Sequence, residues 1–274
     1  FKKHQGVWTQ KGSVVQLTSV KADIPEDVGN GVLKSTVKSV NTGKSEELST
    51  EITDRIGPVI RNAVITLGQG GDKDTVYLQN TTYQKYSKIP LFVAANCDEG
   101  GNGCLPEGTF VATAAEAGAS EGFDTAYHRV LVAGREATAI GCNWMFNPIT
   151  DIYMNWRNTI VNTRSFGDDV DKVIGNARAY IKGIKDANPN MACTAKHFPG
   201  DGVEELDQHL VLGVNTLSAK EWEESFGKVY QTLIDDGLET IMVGHIAQPE
   251  LSRKLRPGIK DEEIMPATLA PELL

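Results

Sequence analysis

The chain has 274 residues, of which 40% are hydrophobic and 23% charged, enough for a sizeable core and ordinary for a globular domain. Its formal net charge of −9 argues against nucleic acid or an anionic membrane as partner, because either needs a basic surface. No apolar run approaches the roughly 18 residues of a membrane helix. Phe1-Lys2-Lys3-His4 is not followed by the apolar run of a signal peptide.

Residues 1 to 50 show no regular pattern beyond a short strand at Val14–Leu17 and a turn around Asn41-Thr42-Gly43-Lys44. From about residue 56 a rhythm sets in. Val59–Leu67 is a β-branched apolar strand that breaks at Gly68-Gln69-Gly70-Gly71, and residues 74–87 suit a helix. Ile89–Ala95 is a second apolar strand, followed by the loop Asp98-Glu99-Gly100-Gly101-Asn102-Gly103. Residues 122–139 place Ala126, Val130, Leu131, Gly134 and Ala137 along one helical face. Cys142–Phe146 is a third strand. Asp168–Lys185 is a helix, with Asp168 or Asp169 as its cap. Met191–Phe198 is a fourth strand. Ser218–Asp236 is a helix opening on a Ser218/Glu221 capping box and closing at Gly237, and Thr240–Ile246 is a fifth strand.

Continuous apolar strands alternating with helices of about 15 residues are the pattern of βα units around a parallel sheet. A doubly wound sheet and a (β/α)8 barrel share it. No G-x-G-x-x-G follows a strand, which disfavours the dinucleotide-binding version. Polar residues at the strand ends favour the barrel: Asn96 and Asp98, Asn147 and Asp151, Lys196 and His197, and His245. In a barrel those ends converge on one mouth. The fold expected is therefore α/β, a (β/α)8 TIM-type barrel over residues 56–274 after an N-terminal segment, 1–55, of unassigned role.

None of the four cysteines forms a C-x-x-C pair and no His cluster accompanies them, so no metal and no cofactor is expected. Buried free thiols suit a reducing, cytoplasmic compartment, with a secreted or periplasmic location as the alternative. Cys97 and Cys104 are close enough in sequence for a loop disulfide as the alternative. His4 and His128 read as surface or packing residues, and Asp235 and Asp236 as solvated at a helix end.

The chemistry concentrates in Lys196-His197-Phe198-Pro199-Gly200-Asp201-Gly202 and Asp207-Gln208-His209. A Lys leaving a buried strand should face carboxylates or a ligand's hydroxyls. Pro199, Gly200 and Gly202 allow a sharply bent loop. Asp207 and His209, two apart in an extended loop, can hydrogen-bond. A carboxylate on one imidazole nitrogen fixes the tautomer and raises the ring's pKa above about 6.5, which suits a general acid and base.

These segments resemble the KHFPG…D-x-H signature of glycoside hydrolase family 3, in its N-acetyl-β-glucosaminidase branch. Ile89–Ala95 with Glu99-Gly100-Gly101, Gly141–Trp144 through Asn147-Pro148-Ile149-Thr150-Asp151, Asn158 with Thr163-Arg164-Ser165-Phe166-Gly167, and Ile241-Met242-Val243-Gly244-His245 are similar to its other motifs, in the same order. The resemblance implies a retaining exo-glycosidase acting on terminal N-acetyl-β-glucosaminides, a small carbohydrate substrate. It makes His209 the acid/base and Asp207 its partner, and it sets Arg164, Lys196 and His197 to grip the sugar. The alternatives are a family 3 β-glucosidase and a sugar-binding fragment without turnover. Two departures stand out. The family's second His-Gly is Asp201-Gly202 here, and its substrate-binding Asp aligns with Cys97, so that Asn96 or Asp98 would take its place. The family's nucleophile, an Asp on a later strand, is expected beyond Leu274. On this reading the barrel is incomplete at the C-terminus, the rest lying in the same or a companion chain. His245 either lines the site or packs beside it.

Overall fold

The computed structural model describes residues 72–274 throughout and, before them, the strands Val7–Gln10 (β1), Ser13–Asp23 (β2), Gly31–Ser39 (β3), Ser45–Ile52 (β4) and Val64–Ile65 (β5). The chain divides into two units, Phe1–Val64 with Thr81–Leu91, and Ile65–Asn80 with Phe92–Leu274. In the first, β1 to β4 form an antiparallel sheet in chain order. The expected strand at Val14–Leu17 lies within β2, but regular structure is more extensive than the sequence pattern suggested. Ser, Thr, Lys and Glu dominate β3 and β4, so the two-residue alternation that marks a half-buried strand is faint there. The turn at Asn41–Lys44, the Gly68–Gly71 break, His4, and Val59–Leu67 apart from β5 lie outside the described residues.

The second unit alternates helix and strand. The helices are Lys73–Tyr86 (α1), whose residues from Thr81 on belong to the first unit, Ala114–Ala119 (α2), Asp124–Ala139 (α3), Val170–Ala187 (α4), Ala219–Trp222 (α5), Lys228–Asp235 (α6) and Pro249–Leu255 (α7). Its strands are Val93–Ala95 (β6), Trp144–Met145 (β7), Ala192–Phe198 (β8), Gly213–Val214 (β9), Thr240–Val243 (β10) and Ile246–Ala247 (β11). The main sheet runs β10-β8-β7-β6-β5, and β6/β7, β7/β8 and β8/β10 pair in parallel. Each new strand is added on the same side as the last. A doubly wound sheet reverses direction at its switch point, so this order belongs to a barrel wound in sequence. Strand interiors are buried on both faces: Val93, Ala94 and Ala95, and Cys193, Thr194 and Ala195, are all buried, and consecutive residues point to opposite faces.

Local chemistry explains the elements. Asp169 caps α4, its side chain accepting from Lys172 N, so of the two candidate caps only Asp169 makes this contact. Val173, Ala177, Tyr180 and Ile184 then fall on one buried stripe. The Ser218/Glu221 capping box is present. The helix it opens is not continuous, because Glu223–Gly227 forms a π-helical turn between α5 and α6. Ser225 Oγ donates to the Glu221 carbonyl at 2.6 Å, and a hydroxyl inserted in the backbone ladder is a standard cause of such a distortion.

Three strands are shorter than the apolar runs imply, and of Cys142–Phe146 only Trp144–Met145 is strand. In Ile89–Ala95 only Val93–Ala95 joins the sheet, while Ile89 and Phe92 are exposed. The Gln84 amide takes both backbone groups of Leu91, accepting from its N–H at 2.9 Å and donating to its carbonyl at 2.7 Å, which removes Leu91 from any ladder. The expected strand Thr240–Ile246 splits at Gly244-His245: Gly244 N donates to Phe198 O at 2.7 Å, and β11 pairs instead with β9 in a separate small sheet. All four cysteines are buried free thiols. His128 is exposed, and Asp236 is half-exposed in an ion pair with Arg178. No helix among the described residues is long and apolar enough to cross a membrane.

Ile184 is fully buried in the α4 stripe. Ile184→Ala should cost about 2–5 kcal/mol, read as a lower urea midpoint. A loss below about 0.5 kcal/mol would contradict this placement.

Candidate active site

Lys196 ends the buried part of β8 and is only 1% exposed. An isolated ammonium there would be very costly, and the structure supplies its partners. Lys196 Nζ lies 3.0 Å from Asp98 Oδ1 and also donates to Asn96 Oδ1. Arg164 closes the other side, with Nε and Nη2 at 3.1 and 2.9 Å from Asp98 Oδ2. Asn147 Nδ2 donates to Asp98 Oδ1 at 2.8 Å. Burial works against the charge on Asp98, but Lys196 and Arg164 outweigh it and hold the carboxyl well below the usual range. Burial pulls the Lys196 ammonium down, against the attraction of Asp98. The position aligned with the family Asp, Cys97, contributes no carboxylate. Its backbone N–H donates to Asn147 Oδ1 at 3.0 Å, and the next residue, Asp98, supplies the charge.

A second cluster centres on Asp151, which is fully buried. Its Oδ2 meets His197 Nδ1 at 2.7 Å, and its Oδ1 accepts from His197 N at 3.1 Å and Asp201 N at 2.8 Å. His197 is set apart from the ladder by a register shift, since Met242 pairs with Lys196 and Val243 with Phe198. The following loop needs its glycines. Gly200 has φ +126°, and a Cβ there would lie 2.1 Å from Phe226 Cδ1. Gly202 has φ +112°, and a Cβ would lie 2.1 Å from Ile152 O.

Asp201, where the family motif has His, is buried and fully used. Its Oδ1 accepts from Asn158 Nδ2 and Gly202 N, both at 2.7 Å, and its Oδ2 accepts from Gln208 Nε2 at 2.7 Å. Glu204 lies beside it. Burial, reinforced by the neighbouring Asp201, pushes the Glu204 carboxyl up to about 9.

The third part is the pair on the loop. His209 Nδ1 lies 2.8 Å from Asp207 Oδ1, leaving Nε2 unengaged by this contact, and the His209 side chain is 59% exposed. The contact forms in a turn, not in an extended loop. The same Asp207 oxygen accepts from His209 N at 2.8 Å, and Leu210 N and Val211 N both donate to Asp207 O at 3.0 Å. A short carboxylate side chain satisfies the backbone two residues on more readily than an extended loop would. The His209 N–H, ahead of its ring, holds Asp207 below the usual carboxylate range. His245 stands with its ring centroid 6.5 Å from that of His209.

Arg164, Lys196 and Asp98 thus meet directly, His197, the next residue of β8, pairs with Asp151 in a separate cluster, and Asp207 meets His209. No hydrogen bond among the described residues joins the last pair directly to Asp98. The link runs through Asp151, Asp201 and Gln208. Sequence reasoning placed Asp151 at a strand end without a role, and missed Gln208 and Glu204. Only the D-x-H spacing flanking Gln208 hinted that the middle side chain turns the other way.

The strand order and the polar groups gathered past the strand ends define an α/β barrel with its site at the C-terminal face. Residues 13–274 match the Glycosyl hydrolase family 3 N terminal domain, and the chain belongs to that family. It is 45% identical over 194 residues to a beta-N-acetylglucosaminidase/beta-glucosidase of Cellulomonas fimi, covering 71% of this chain and 34% of the relative. It is 30% identical over 132 residues to a beta-hexosaminidase of Hydrogenovibrio crunogenus, covering 48% and 36%. The chain therefore spans about a third of the length of these relatives, in each of which the matched part is one portion of a single chain. Among solved structures, beta-glucoside phosphorylase BglX bound to 2FGlc matches with TM-score 0.69 and 42% identity over 74% of this chain and 36% of that one. NagZ from Neisseria gonorrhoeae, 21% identical with TM-score 0.64 over 73% and 63%, shares the fold.

Two outcomes test the electrostatics. Asp98→Asn leaves Lys196 and Arg164 facing each other without a counter-charge, and should lower stability by about 3–5 kcal/mol in denaturant titration. A change within about 0.5 kcal/mol would contradict the arrangement. Glu204 ionises less readily folded than unfolded, so its contribution is full below about pH 4.5 and is lost as pH rises toward 9. The melting temperature of Glu204→Gln should therefore gain steadily on that of the parent as pH rises across this window. A pH-independent difference would show that Glu204 does not titrate there.

Proposed function

We propose that the full-length protein cleaves terminal β-linked N-acetylglucosaminides with retention of configuration, using His209 as general acid and base. The observation that carries this reading is the Asp207–His209 contact of 2.8 Å, which holds one ring nitrogen and leaves Nε2 for proton transfer. In the first step the bond from the anomeric carbon to the leaving oxygen breaks. Nε2 gives that oxygen a proton, and the carbon bonds to a carboxylate nucleophile, which on this reading belongs to a strand beyond Leu274. In the second step an acceptor attacks the anomeric carbon, the carboxylate departs, and the acceptor's proton passes to the neutral imidazole. Arg164 and Lys196, with Asp98 as their counter-charge, and His197, held by Asp151, grip the hydroxyls of the non-reducing sugar. Such groups suit an uncharged ligand gripped by charge-assisted hydrogen bonds.

The relatives' names support both an N-acetylglucosaminide and a glucoside as the sugar, and we rank the N-acetyl sugar first because the Asp-x-His pair accompanies that branch. A second reading concerns the acceptor. A neutral imidazole base carries no charge to repel an anion, whereas a carboxylate would, so inorganic phosphate could replace water. The likeness to a beta-glucoside phosphorylase favours this reading.

The test uses an aryl N-acetyl-β-glucosaminide and the matching β-glucoside, each with and without phosphate, with products followed by NMR. We expect faster turnover of the N-acetyl substrate, a β-configured first product, and a loss of about 10²- to 10⁴-fold in kcat for His209→Ala. Full activity in that variant would remove His209 from the role. A glycosyl phosphate accumulating when phosphate is present would select the second reading.

A further inference from the structure

We propose that Gln208 is the positioning residue of the acid/base loop, a buried amide that pins the Asp207–His209 pair to the barrel. The inference rests on the proposed role of His209 and goes beyond it by naming what fixes that group in space.

Burial along this loop runs against hydrophobicity. From Glu205 to Leu212, Gln208 is the one buried residue, at 6% exposure, while Leu206 is 55% exposed, Leu210 80%, Val211 50% and Leu212 47%. A loop folding to cover apolar surface would bury a leucine and expose the amide. The inversion needs a specific reason, and the hydrogen bonds supply it. Gln208 Nε2 donates to Asp201 Oδ2 at 2.7 Å, and Gln208 Oε1 accepts from the backbone N–H of His245 at 2.7 Å. Both ends of the amide are engaged, and the donor and acceptor pattern admits one orientation of the group.

Each anchor is itself held. Asp201 takes Asn158 Nδ2 and Gly202 N on its other oxygen, and its own N–H donates to Asp151, the residue that holds His197. His245 follows directly on β10 and Gly244, whose N–H is tied to Phe198 O. One side chain thus joins the loop to the ends of two neighbouring strands, and it sits between the two residues of the acid/base pair. Asp207 and His209 face outward and Gln208 inward, so fixing the middle residue fixes both flanks.

The consequence is kinetic. A proton donor works only when held within hydrogen-bond reach of the leaving oxygen, and a displacement of about 1 Å can cost about a hundredfold. A pinned loop therefore matters most for substrates whose leaving group needs the proton. A dinitrophenolate leaves almost without help, while an unsubstituted phenolate does not.

The experiment measures kcat and KM of the full-length protein on phenyl and dinitrophenyl N-acetyl-β-glucosaminides for the parent, Gln208→Met and His209→Ala. Methionine keeps the length and removes both hydrogen bonds. Gln208→Asn, which keeps the groups but shortens their reach, serves if the methionine variant does not fold. We expect Gln208→Met to lose about ten- to hundredfold in kcat/KM, which reads the first step alone, on the phenyl substrate and at least about tenfold less on the dinitrophenyl one. His209→Ala should show the same leaving-group dependence, only steeper. Equal losses on both substrates, or none, would overturn the role of Gln208. A His209→Ala variant without leaving-group dependence would overturn the acid/base reading itself, and the inference with it. Dependence in His209→Ala but not in Gln208→Met would overturn the inference alone.

Discussion

A lysine ammonium buried at the end of a β-strand must have a counter-charge, and much of this site follows from satisfying Lys196. Asp98 and Asn96, from the loop after β6, supply its oxygens, and Arg164 takes the second oxygen of Asp98. The strand ends are thereby drawn to a common point by electrostatics as well as by the barrel's geometry. The apolar strand interiors beneath give the low-dielectric setting in which such pairs act strongly. The same setting makes every partner obligatory, since a lone charge there would be expensive.

One layer away, Asp151 organises the turn that follows β8. It binds the side chain and backbone of His197 and the backbone of Asp201, and so fixes where the Gly200–Gly202 loop leaves the strand. Asp201 occupies a position where the family motif carries His. Its acid group is absorbed by Asn158, Gly202 and Gln208. The departure is thus matched locally by donors, and the loop bearing His209 inherits its position from that match. The Lys196–Asp98–Arg164 cluster and the Asp207–His209 pair belong to different segments, yet the hydrogen bonds of Asp151, Asp201 and Gln208, together with the backbone at Lys196-His197 and Asp207-Gln208-His209, connect them.

Motifs carried much of this in the sequence. Lys196, His197 and Asp98 were legible because charged residues at the ends of apolar strands are conspicuous, Arg164 only through the resemblance of residues 163–167 to a family motif, and the Asp207–His209 pairing because its spacing is short-range. Helices were read within a few residues where capping and periodicity agreed, as at Asp169 and Ser218. Errors came where side chains competed with the backbone. Gln84 removed Leu91 from a strand, Ser225 opened a π turn, and Gln208 with Phe198 redirected the chain after Val243. Of the antiparallel sheet only part of β2 was expected, and β3 and β4 escaped notice because polar residues dominate them.

By itself, then, the sequence determined the alternation of strand and helix, the family resemblance and the identity of the charged groups, since these depend on local patterns and on residue type. Only the tertiary structure decided that the sheet is wound in one direction, that Asp98, next to Cys97, supplies the carboxylate facing Lys196, and that Gln208 lies buried beneath the more exposed Asp207–His209 pair. Those outcomes depend on contacts between segments dozens of residues apart, and on which of several polar groups reaches a buried partner first. No local pattern encodes that competition.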